Sequence, residues 1–150
     1  MSDHWIQLIP EDPRFVPAAA QQKQALRRLR EIAPEADEIE IKLSKTIQFF
    51  DCGANFERIL CPSCRTELDV EWWQSGMSKD HDGGFKLADY RMPCCRTKHA
   101  LHQLIYEWPQ GFARFALDMM NPNIGKLKPK VQKELEELLG TKLRVIYQHL

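Results

Sequence analysis

The 150-residue chain predicts an α+β fold, on three observations. Apolar residues alternate with period two in several stretches and recur with helical period in two others. Those stretches follow one another as strand, helix, strand, strand, helix, strand. Between the second and third strands lies a long segment holding all five cysteines, four of them in two tight pairs, Cys61/Cys64 and Cys94/Cys95.

Trp5 to Ile9 is a short apolar run, stopped by Pro10 and the turn-forming Glu11-Asp12-Pro13. Pro17 is expected to open a helix at its first position, where a missing N–H costs nothing. Ala18, Gln22, Ala25/Leu26, Leu29 and Ile32/Ala33 then keep helical spacing until Pro34, and Lys23, Arg27, Arg28 and Arg30 fill the other faces. From Glu38 the period changes. Ile39, Ile41, Leu43, Ile47 and Phe49 share one parity, which is the pattern of a half-buried strand. Lys45 falls on the apolar parity, so a bulge or break is expected there.

Asp51 to Asn55 reads as a turn, and Phe56 to Leu60 as a strand delivering Cys61. Asp69 is placed to cap a short helix reaching Lys79, with Trp72 and Trp73 as packing residues, and Asp80 to Gly84 has the composition of a mobile loop. Gly111 to Met119 is the third long strand. A helix starts near Pro129, carries Leu135 and Leu138/Leu139 inward, and ends at Gly140. Leu143 to His149 is the last strand.

This order is that of the split βαβ, or ferredoxin-like, arrangement, with two helices on one face of an antiparallel sheet. Residues 1–51 and 109–150 are expected to form it, with 52–108 as an insertion.

Cys61-Pro62-Ser63-Cys64 has the spacing of a turn that presents two thiolates to one metal. Cys94 and Cys95 supply two more, so Cys61, Cys64, Cys94 and Cys95 are the expected ligands of a structural Zn2+; His99 is the alternative to one of the second pair. Residues 56–106 resemble a zinc ribbon. That family repeats Cys-x-x-Cys in its second knuckle, whereas here Met92 stands at the first ligand position of Met92-Pro93-Cys94-Cys95. The chain as a whole resembles small bacterial α+β proteins carrying a ribbon insert. A redox dithiol fits less well, because Pro62 sits inside the motif and a second pair follows. No ferredoxin spacing is present for an iron–sulfur cluster. Catalysis at the metal lacks its acid–base partner, since no histidine is followed two residues later by glutamate.

Composition narrows the class further. With 43% hydrophobic and 28% charged residues the chain can bury a core, and no apolar run reaches membrane-spanning length. The amino terminus lacks the basic and apolar regions of a signal peptide, so the expected location is the cytoplasm, where clustered thiols serve metals more than disulfides. Net charge is zero. A phosphate-binding protein usually leans basic, so nucleic acid is a less favoured partner than another protein. Gln110-Gly111-Phe112-Ala113-Arg114-Phe115 resembles the aromatic strand motif of RRM domains, but Arg114 replaces a stacking aromatic and Phe115 shares parity with core residues. The function expected is therefore a non-enzymatic, zinc-stabilised protein-binding module, such as an immunity or adaptor protein. The alternative is a nucleic-acid-binding regulator using ribbon and sheet.

Overall fold

The computed structural model describes residues 2–150. Four strands, His4–Pro10 (β1), Glu38–Phe50 (β2), Gly111–Met120 (β7) and Leu143–His149 (β8), form one sheet in the order β2-β7-β1-β8, and every neighbouring pair is antiparallel. The segment between β2 and β7 holds the short strands Arg58–Leu60 (β3), Asp89–Arg91 (β4), Lys98–Ala100 (β5) and Ile105–Glu107 (β6), paired as β3-β6 and β4-β5. The helices are Ala19–Ile32 (α1), Val70–Asp80 (α2) and Pro129–Leu139 (α3). Among the described residues no helix is long and apolar enough to cross a membrane.

The helix boundaries follow local chemistry. Pro17 precedes α1 rather than opening it: Ala18 is the N-cap, its N–H is taken by Gln21 Oε1 at 3.0 Å, and the buried Gln22 donates to Pro17 O at 2.8 Å. Pro129 does open α3, and Gly140 closes it in the left-handed region (φ 74°), donating to Glu136 O. Helices α1 and α3 lie against one face of the sheet. Their shared core is Ile6, Leu8, Ala25, Leu29, Phe115, Leu117, Met119, Leu135, Leu139 and Leu143. Arg28 ties the two helices together through Glu134.

The long alternation of β2 does not serve one core. Pairing with β7 shifts register between Leu43 and Gln48, the bulge expected around Lys45. Ile39 and Ile41 pack on the helix side, Ile47 and Phe49 join a second cluster with residues from between β2 and β7, and Leu43 at the junction is 57% exposed. Strand β7 is divided in the same way, with Phe112 facing the second cluster and Phe115 the helix core. Both aromatics are buried, so neither can stack a base, and the RRM-like motif is core.

The second face of the sheet is partly covered as well. Leaving β2, residues Asp51 to Asn55 cross beneath the sheet to the far edge, where Ala54 N–H donates to His149 O (2.7 Å) and Asn55 Nδ2 to Tyr147 O (2.9 Å). Gly53 adopts φ 61°, and a Cβ there would run into His149 O. Cys52, expected as a plain turn residue, is fully buried with Ile9, Ala113, Ala116 and Ile146, and Phe50 and Phe56 close over them.

Candidate metal centre

Two turns build the centre, and each is a copy of the other. In Cys61-Pro62-Ser63-Cys64-Arg65-Thr66, Cys61 N–H donates to Thr66 O and Arg65 N–H to Cys61 O, both at 2.9 Å, with Arg65 at φ 60°. In Met92-Pro93-Cys94-Cys95-Arg96-Thr97, Met92 N–H donates to Thr97 O (2.8 Å) and Arg96 N–H to Met92 O (2.9 Å), with Arg96 at φ 64°. Met92 therefore occupies the backbone position of Cys61, Cys95 that of Cys64, and Cys94 that of Ser63. The repeated Pro-x-Cys-Arg-Thr is visible in the sequence and marks both turns.

The four sulfurs converge within 4.8 Å of one another. Cys61 and Cys95 Sγ lie 3.7 Å apart, and Cys64 and Cys94 Sγ 3.3 Å. A tetrahedron with metal–sulfur bonds of about 2.3 Å has edges of about 3.8 Å, so the thiols are spaced to hold a metal ion. Cys94, displaced by two residues from the regular ligand position, still reaches the cluster. Met92 turns the other way into the core and is 1% exposed.

Cys61 is fully buried and Cys64 and Cys94 are exposed. The first-turn hydroxyl Thr66 Oγ1 sits 3.2 Å from Cys64 Sγ, and its side-chain and backbone hydrogen bonds draw that thiol down to about 6. Thr97 Oγ1, 3.0 Å from Cys95 Sγ, lowers Cys95 in the same way. Partial desolvation among the neighbouring sulfurs, then hydrogen bonds with those thiols, pushes Cys94 up to about 12. The metal-free cluster thus keeps a proton that a cation must displace.

His99 is not among the converging groups. Its Nε2 is 2.7 Å from Ser63 Oγ and 3.1 Å from Thr97 Oγ1, so it links the two turns from outside. Sequence reasoning weighed it only as a ligand and missed Thr66 and Thr97 as the hydroxyls beside the sulfurs and Ser63 as the partner of His99.

Behind the turns, Ile59, Cys61, Leu68, Met92, Leu101, Leu104 and Tyr106 form the lobe's core, with Trp72 and Trp73 half-buried against it. Trp73 Nε1 donates to Tyr106 OH (3.1 Å), which donates to Leu101 O (2.6 Å). Asp69 caps α2 as expected, its Oδ1 accepting from Glu71 N at 2.9 Å. Asp80, expected in a mobile loop, is instead 2% exposed. Its carboxylate accepts from the N–H groups of Lys86, Leu87 and Ala88 and from Tyr90 OH, fixing the connection from α2 to β4.

Compared with known proteins, the chain matches no family model, no curated protein and no solved structure.

Proposed function

We propose that the protein is a non-enzymatic protein-binding module, of the immunity or adaptor kind, in which Cys61, Cys64, Cys94 and Cys95 hold a structural Zn2+. The observation that carries this reading is the convergence of four sulfurs from two matched turns. A complete set of four thiolates suits tetrahedral zinc and leaves no open position for substrate. Zinc would close the ribbon-like insertion at its tip, while the apolar cluster around Ile59, Leu101 and Tyr106 anchors its base.

The sheet order β2-β7-β1-β8, with α1 and α3 on one face, supports reading the remainder as the split βαβ arrangement formed by residues 1–51 and 109–150, with 52–108 inserted. Because the strap at 51–55 occupies part of the second sheet face, the surface of the zinc-held lobe is the better place for a partner protein. A cytoplasmic setting would keep the four thiols reduced for the metal.

Metal analysis of the purified protein tests the site: one zinc per chain is expected, and substantially less refutes it. Pull-down from the native cytoplasm tests the partner. Recovery of no protein partner at all would count against the binding role.

One observation favours the second reading, a nucleic-acid-binding regulator: Arg65, Arg91, Arg96 and Lys98 are exposed around the two turns. Against it, Arg28 is committed to Glu134 and Glu31, so acids interrupt the basic residues of α1 and α3. Nucleic-acid affinity falling steeply with salt would support this reading, and affinity indifferent to salt would remove it.

A further inference from the structure

We propose that Cys64 and Cys94 form a redox modification site, an exposed thiol pair that hydrogen peroxide converts into a disulfide joining the two turns where the metal would otherwise join them. The thiol cluster is the one described above, but the pairing itself does not depend on which metal it holds.

Geometry selects the pair. Cys64 and Cys94 are both exposed and their sulfurs are 3.3 Å apart, closer than the 3.7 Å between Cys61 and Cys95. A disulfide needs about 2.05 Å, a contraction of about 1.2 Å that small side-chain rotations can supply. Two of the other cross-turn pairings include Cys61, which is fully buried and closed to a solvent-borne oxidant, and Cys64–Cys95 draws on Cys95, which is less exposed than Cys94. Cys94 and Cys95 are adjacent in the chain, and Cα atoms about 3.8 Å apart across a trans peptide are closer than an unstrained disulfide prefers. Cys52 is buried under the sheet, away from the cluster.

The chemistry balances without a further reactant. The Cys64 sulfur attacks one peroxide oxygen, the O–O bond breaks, and Cys64 becomes a sulfenic acid as water leaves. Cys94 then attacks the Cys64 sulfur, forming the S–S bond and expelling the sulfenic oxygen as a second water. Two thiols and one peroxide give one disulfide and two waters; the sulfurs lose two electrons and the peroxide oxygens gain them. In a zinc-loaded cluster the loss of two thiolates leaves only Cys61 and Cys95 on the metal, so the ion is released.

The bridge would close the 30-residue separation between Cys64 and Cys94 and tie together the same two turns as the metal. Oxidation therefore exchanges one staple for another and leaves the lobe's core in place.

The test uses the full chain, metal-stripped and zinc-loaded, treated with stoichiometric hydrogen peroxide and mapped by non-reducing peptide mass spectrometry. The expected result is one Cys64–Cys94 disulfide per chain, reversed by dithiothreitol, with one zinc released per disulfide in the loaded sample. Oxidised metal-free protein should also melt above reduced metal-free protein. Cys64→Ser and Cys94→Ser should each abolish the bridge, and Cys52→Ser should leave it unchanged. Any other bridge among the four cysteines as the main product, over-oxidation without a bridge, or no gain in melting temperature overturns the proposal. A chain that binds no zinc but forms the Cys64–Cys94 bridge overturns the zinc reading and leaves this one standing.

Discussion

Shifting one sulfur by two residues should restore a site that deleting it destroys. Cys94 stands where the first turn has Ser63, so Cys94→Ser places in the second turn a residue that the matching turn already carries. The substitution therefore removes a sulfur with little strain. Structural zinc binding is worth about 10–16 kcal/mol, which shared over four thiolates gives about 3 kcal/mol each, or about a hundredfold in affinity. Cys94→Ser should weaken zinc by about that factor. The double variant Met92→Cys/Cys94→Ser puts a thiol at the position equivalent to Cys61 and should recover affinity to within about tenfold, the residual cost arising from the smaller side chain in the lobe core. Competition against a chelator of known affinity, with far-UV circular dichroism as the folding control, reads both effects. If Cys94→Ser binds zinc as tightly as the parent, Cys94 is not a ligand. If the folded double variant stays as weak as the single, the equivalence of the two turns is wrong.

Other outcomes follow from groups outside the cluster. Asp80→Asn should destabilise the lobe by about 3 kcal/mol, because an amide cannot accept all four of the carboxylate's bonds, and hydrogen exchange should accelerate at Lys86, Leu87 and Ala88. Burial, then Arg14 and Arg144, holds His102 below its ordinary value of 6.5, so the unfolded chain takes up the proton first. Stability should accordingly fall as pH drops below about 6.5, flattening only below the folded-state value, and His102→Asn should reduce that slope in denaturant titrations. Arg28→Ala should leave the denaturation midpoint nearly unchanged, since the Arg28–Glu134 pair is 34% and 42% exposed; a large drop in the midpoint would refute this assignment as a surface pair.

The long elements were legible because each obeys one local rule. Gly140, Pro129, Asp69 and the alternation of Ile39 and Ile41 act within a few residues of themselves. The misreadings mostly involve partners outside the element in which the residue stands. Leu43 keeps the parity of a core residue, but the shift in pairing with β7 leaves it between two cores. Strands β4, β5 and β6 have three residues each; β4 and β5 pair across the second turn and β6 pairs with the distant β3, so no periodicity announces them. Asp80 looked like loop composition because its four donors come from residues 86–90. The four cysteines were legible as a group from their spacing, whereas the hydroxyls of Thr66 and Thr97 and the position of His99 required the fold.

The strap at 51–55 bears on how the molecule avoids its own copies. A terminal strand with bare N–H and C=O groups is a template for a second chain. At β8 that outer row is occupied near its end by Ala54 and Asn55 reaching His149 and Tyr147, an approach that only glycine at 53 permits. At the opposite border, β2 presents Glu38, Glu40 and Lys42, whose charges discourage stacking. Cutting out 52–108 and joining the flanks would remove the guard from β8. Such a shortened chain would be expected to associate edge to edge, a change in size that gel filtration would register.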